Sequence, residues 1–224
     1  MSLLQDDSDT NRRLAMISID NAVELMVKTY LGLPKRITGL TVPRKRYQEI
    51  SESFPSLLDG LEEFAPEKLD GIDLGTIEWY HRLRNELYHQ GNGLTVERDK
   101  VEIYAELSNT LFKNLFGEEL VPHTTPETQR LGEFMDAWVA LETGIHALAN
   151  RNSLTGNVPI GALRSMQFLE DAAILEEGEA KELNRIRQIR NEIVHGQSDY
   201  KQILTKELLK RVRYFAERFR EDEA

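Results

Sequence analysis

Cysteine is absent from all 224 residues, which excludes disulfides and thiolate metal sites and makes a reducing, intracellular home the simplest expectation. Long apolar runs are missing too, and no stretch approaches the length needed to span a bilayer. The opening Met-Ser-Leu-Leu-Gln-Asp-Asp lacks the basic and apolar regions of a secretory leader. The sequence therefore predicts a cytoplasmic protein without membrane attachment. Positive charge is in short supply. A net charge of −10 excludes a protein that coats nucleic acid through many phosphate contacts, so any nucleic acid must be held locally. Strand patterns are nearly absent, Leu94-Thr95-Val96 being too short to count. Proline is held to 7 residues and glycine to 14, while hydrophobic residues reach 40%, a composition that folds rather than one that stays disordered.

What is present is helical periodicity. A first helix is expected over about Thr10 to Leu31, with Leu14, Ile17 and Leu25 beside a second row of Met16, Val23, Met26, Val27 and Tyr30, ending where Gly32 and Pro34 forbid continuation. A long connection through Pro43 leads to weaker helical material around Phe54, Leu57, Leu58, Leu61 and Phe64. Ile77, Tyr80, Leu83 and Leu87 mark a helix from Thr76 to near His89, and Val101, Tyr104, Leu107, Leu111 and Leu115 another. Thr125-Pro126 combines an N-cap with a first-turn proline and opens a second series. Leu131, Phe134, Trp138, Leu141, Ile145 and Leu148 come first, then helices over Ile160 to Leu175, through Leu183, Ile186, Ile189 and Ile193, and from Leu204 to Phe219. The fold class is all-α: two tandem helical-bundle domains, residues 1–120 and 121–224, packed as a pseudo-dimer, with a linker around Pro122 and Pro126.

The same order of elements occurs twice, and the match is in register. Leu83/Ile189, Arg84/Arg190, Asn85/Asn191, Glu86/Glu192, Leu87/Ile193 and His89/His195 are all 106 residues apart. For the first helices an offset of 116 sets Asp20-Asn-Ala-Val-Glu-Leu beside Asp136-Ala-Trp-Val-Ala-Leu. About ten extra residues then fall in the first copy, near the basic segment of Lys35, Arg36, Arg44, Lys45 and Arg46. That segment is the candidate RNA-binding patch, although a charge cluster of this kind is more often a solvated face.

The chemistry-bearing residues are the hexapeptides Arg84-Asn85-Glu86-Leu87-Tyr88-His89 and Arg190-Asn191-Glu192-Ile193-Val194-His195. A chance Arg-Asn-x-x-x-His match has odds on the order of one in a hundred per chain, so two at equivalent places are not coincidence. A duplicated packing helix whose Arg and Asn face solvent is the plainer alternative. His81, Asn85 and His89 share one helix face, as do Arg187, Asn191 and His195. Arg and His, five apart, diverge on an ideal helix, but Gly91 and Gly196 place each His in a fraying last turn from which it can swing toward the Arg. A metal site is not expected: His81 and His89 are two turns apart without a third ligand, and Arg187 replaces His81 in the second copy. Neither a Gly-rich phosphate loop nor a Ser-His-Asp pattern is present, and no cofactor is expected.

These paired motifs resemble the HEPN superfamily, small helical bundles with an Arg-x(4–6)-His motif and commonly an Asn directly after the Arg. The resemblance covers essentially the whole chain. It implies a dimer or pseudo-dimer whose two motifs line one cleft, in many members a metal-independent endoribonuclease of toxin, antiviral or RNA-processing systems. By position it implies Arg84, His89, Arg190 and His195 as catalytic residues and Asn85 and Asn191 as orienting groups. RNA is then the substrate and an antitoxin or regulatory protein a partner, with the pseudo-dimer formed within one chain or two chains pairing. One subgroup carries a nucleotidylated tyrosine two residues after the histidine; Gly91 and Gln197 stand there, so such regulation is not expected. Other members bind nucleotides or proteins without catalysis, and that alternative stays open.

Overall fold

The computed structural model describes residues 2–4, 6–89, 95–118, 125–153 and 162–221. It is all-helical, with no strand among the described residues. Among the described residues no helix is long and apolar enough to cross a membrane. The chain divides into two compact units, Met1–Pro122 and His123–Ala224. Of the linker expected around Pro122 and Pro126, residues 119–124 lie outside the described residues, and Pro126 is the first residue of a helix.

In the first unit, α1 spans Asp9–Gly32 and begins where the Ser8 side chain accepts the Asn11 N–H. Two short helices follow, α2 (Lys35–Thr38) and α3 (Arg44–Ile50), each with a proline at its N-cap. The segment read from sequence as a basic loop is therefore largely helical: Pro34 and Pro43 lie just ahead of helices, where a missing N–H costs nothing. Next come α4 (Phe54–Phe64), α5 (Leu74–His89) and α6 (Arg98–Phe116). Left-handed Gly117 ends α6. Helix α1 packs on α4, α5 and α6, so its buried face runs through the middle of the unit.

Of the two apolar rows that the periodicity marks on α1, the second forms this face. Leu14 and Leu25 are exposed, whereas Ala15, Met16, Asp20, Val23, Met26, Val27, Tyr30 and Leu31 are buried. The acidic Asp20 falls within this otherwise apolar row. Tyr80 and Tyr104 stack with ring centroids 4.4 Å apart beside it, and burial raises both phenols above the ordinary tyrosine range.

In the second unit, α7 (Pro126–Asn152) starts from a reciprocal Thr125/Thr128 capping box. After it come α8 (Ala162–Asp171), α9 (Glu177–Val194), α10 (Tyr200–Ile203) and α11 (Lys206–Glu221). Helix α7 packs on α8 and α11, and α8 on α9. Gly144 lets α7 approach α11 closely: a Cβ there would lie 3.0 Å from Phe219 Cβ. Arg211–Glu182 and Arg218–Glu179 ion pairs tie α11 to α9.

Burial favours a different offset between α1 and α7 from the one that identity favours. At an offset of 118, Met16, Asp20, Val23, Met26, Val27, Tyr30 and Leu31 fall on Phe134, Trp138, Leu141, Gly144, Ile145, Leu148 and Ala149, all buried in both copies. The offset of 116 instead sets buried Asp20 on exposed Asp136. Sequence identity favoured 116 because it aligned the two aspartates, which are not in equivalent environments.

Candidate functional site

The first hexapeptide occupies the end of α5, and what surrounds it is organised by Asp20 of α1, which has no exposed surface. Its Oδ1 accepts the Tyr104 hydroxyl at 2.8 Å. Its Oδ2 lies 2.9 Å from His81 Nδ1 and 2.9 Å from Arg84 Nε. The Arg84 Nε–H is not aimed along that line and makes no hydrogen bond, so this contact acts through charge and proximity. The remaining guanidinium nitrogens are directed: Nη1 donates to Asn85 Oδ1 at 2.8 Å and Nη2 to Asn21 Oδ1 at 2.6 Å. Arg84 is thus held in one orientation by three groups while part of its side chain still reaches solvent. The negative charge of Asp20 and its hydrogen bond add to burial in raising the Tyr104 phenol well above its ordinary value.

His81 is equally constrained. Its ring stacks on Phe54 of α4, centroids 4.1 Å apart and planes 17° off parallel. Arg13 of α1 donates to the Leu87 carbonyl at 3.0 Å, placing a cation at the C-terminal turns of α5. Neither Asp20 nor Arg13 stands out in the sequence as a site residue; spacing shows what shares a helix face, not what another helix brings to it. The His89 side chain and Gly91 lie outside the described residues.

The second hexapeptide ends α9. Arg190 is buried, and its Nη1 donates to Asn191 Oδ1 at 3.3 Å, matching the Arg84–Asn85 bond. One turn earlier, the Arg187 Nε is buried without a hydrogen-bond partner among the described residues. His195 is the C-cap, and the turn after it is ordered rather than frayed. Gly196 N–H reaches the Ile193 carbonyl and Gln197 N–H the Glu192 carbonyl, with Gly196 at φ 62°, the arrangement of a Schellman cap. The glycine expected to loosen the helix end instead closes it, because it satisfies carbonyls that would otherwise be orphaned.

The two sites share Arg, Asn and His but not their surroundings. By the burial register, Asp20 corresponds to Trp138. An offset of 106 sets His81 on Arg187, and one of 108, which aligns the buried faces of α6 and α11, sets Tyr104 on Val212. One groove of the second unit, about 880 Å³, is lined by Lys181, Arg185, Ile189, Glu192, Leu208 and Arg211 among others, and by none of Arg190, Asn191 and His195. It is not the motif's site.

Of the five basic candidates, Arg46 is committed elsewhere, within 2.6 Å of Glu63 and 3.4 Å of Glu49. Those two carboxylates hold its guanidinium and raise its pKa. Lys35, Arg36, Arg44 and Lys45 are exposed on α2 and α3. Among the described residues no three or more His, Asp or Glu side chains gather as metal ligands. No protein-family model, curated protein or solved structure matches the chain.

Proposed function

We propose that the protein is a metal-independent endoribonuclease of the HEPN type, of the kind used in toxin or phage-defence systems, with the paired Arg-Asn-x-x-x-His motifs acting together on one phosphodiester. The observation that carries this reading is the recurrence, in both units, of an arginine near the end of a helix whose Nη1 is held by the next residue's asparagine side chain. An arginine fixed in that way is suited to stabilise charge developing on a phosphate, because its orientation cost is met before substrate arrives. RNA supplies the nucleophile, its 2′-hydroxyl. A histidine removes that proton and a motif histidine protonates the departing 5′-oxygen, leaving a 2′,3′-cyclic phosphate.

The test is cleavage of an end-labelled RNA pool by the full chain with EDTA present, followed by mass spectrometry of the new ends. Cyclic-phosphate ends are expected. Magnesium dependence or plain 3′-hydroxyl ends would exclude the mechanism, and retention of RNA without cleavage would make the protein a binding module.

A further inference from the structure

In the sequence His81 figures only as half of an unsuitable metal pair, yet its surroundings have the form of a proton-transfer dyad. As a carboxylate, Asp20 can only accept hydrogen bonds, so the 2.9 Å contact from His81 requires the proton on Nδ1. In the neutral ring the lone pair then sits on Nε2. Three independent constraints fix the ring. Asp20 holds one edge, Phe54 covers a face, and the Tyr104 hydroxyl on the other carboxylate oxygen keeps Asp20 from rotating away. The His81 side chain retains 14% of its exposure, whereas its anchor Asp20 retains none. Arg84 touches the same Oδ2 at the same 2.9 Å, which puts Nδ1 and the arginine Nε within twice that distance of each other.

The geometry points to His81, oriented by Asp20, as the general base of the first unit, acting on the 2′-hydroxyl next to a phosphate held at Arg84. This inference rests on the ribonuclease reading. The 2′-hydroxyl proton passes to His81 Nε2 as the 2′-oxygen bonds to phosphorus. The bond from phosphorus to the 5′-oxygen breaks, that oxygen takes a proton from a protonated motif histidine, and His81 returns its own proton to solvent. Asp20 is a positioning residue here: it selects the tautomer and compensates the imidazolium that forms, the role a buried carboxylate plays beside a catalytic histidine. The second unit, with Arg187 in place of His81 and Trp138 in place of Asp20, has no such pair, so the dyad makes the two motifs unequal partners.

Two measurements on the full chain test this. Nitrogen-15 spectra of the His81 ring, assigned through its contact with the Phe54 ring, should show the neutral form with its proton on Nδ1 and none on Nε2. The opposite tautomer overturns the assignment without reference to activity, even should the variants fail to fold. In RNA cleavage, His81→Gln should lower kcat on the order of a hundredfold or more with little change in KM, and free imidazole should restore part of the activity of His81→Gly. If wild-type protein cleaves RNA and His81→Gln cleaves equally well, the ribonuclease reading stands and the dyad is overturned. If wild-type protein cleaves no RNA, the ribonuclease reading itself fails and the dyad's role falls with it.

Discussion

Asp20 is a charged group with no exposed surface, and side chains from two other helices converge on it. Such an arrangement is maintained only while every member is present, because removing one partner leaves the others buried and uncompensated. Asp20→Ala is expected to destabilise the first unit by about 3–5 kcal/mol, measured by urea unfolding, more than an ordinary surface aspartate would cost. Tyr80 and Tyr104 give a separate handle. Burial, and for Tyr104 also the Asp20 charge, raises their folded-state pKa, so the native state holds their protons more tightly than the unfolded chain does. The stability they contribute is complete below the unfolded tyrosine value of about 10 and is lost as pH rises beyond it. Ultraviolet titration should therefore show Tyr80 and Tyr104 among the phenols that ionise only as the protein unfolds, and Tyr104→Phe should remove one of them. At this scale the sequence was least informative. Arg84, Asn85, Arg190 and Asn191 stand out because they repeat, but the partners of Asp20 lie 61, 64 and 84 residues away, and no local period encodes a contact of that range.

At the scale of elements the chain was largely readable, since helix ends are written in local chemistry. Thr125-Pro126 opens α7, Gly117 closes α6 in the left-handed conformation, and α1 ends at Gly32 ahead of Pro34. Short α2, α3 and α10 were missed, having too few turns to display a period. Gly144 shows the limit differently, for its conservative appearance in a helix hides a close contact. Gly144→Ala should gain about 1 kcal/mol of helix propensity if the site were open. With its Cβ 3.0 Å from Phe219 Cβ, an atom fixed to the α11 backbone, the substitution should instead destabilise by roughly 1–3 kcal/mol in thermal or urea unfolding. The basic elements yield a graded prediction. Replacing Lys35, Arg36, Arg44 and Lys45 together by Ser should weaken RNA binding and reduce the slope of log K against log salt, by up to about 0.7 for each phosphate of a single strand that is no longer neutralised. Arg46→Ser should leave the slope nearly unchanged, since Glu63 and Glu49 already neutralise that residue. A slope indifferent to all of these changes removes α2 and α3 from the binding surface.

For the whole molecule the question is how two units with related motifs and different surroundings divide the work. The first unit carries 14 basic and 21 acidic residues and the second 14 and 17, so neither attracts RNA by net charge, and productive contact depends on the local arginines. If the motifs act as one catalytic unit, His89→Ala and His195→Ala should each lower activity strongly, and the double variant should be little worse than the more damaged single one, because groups acting in one transition state are not additive. If each motif works alone, each single variant keeps about half the activity and the double variant keeps none. Circular dichroism of every variant separates loss of chemistry from loss of fold. Mixing the two single variants supplies the remaining distinction. A site made within one chain gains nothing from mixing, since every molecule still lacks one histidine, whereas a site made between two chains regains activity in those pairs that join the intact His89 of one molecule to the intact His195 of another. Recovery that rises with protein concentration and follows the formation of dimers would therefore overturn the single-chain expectation while preserving the catalytic assignment of both histidines.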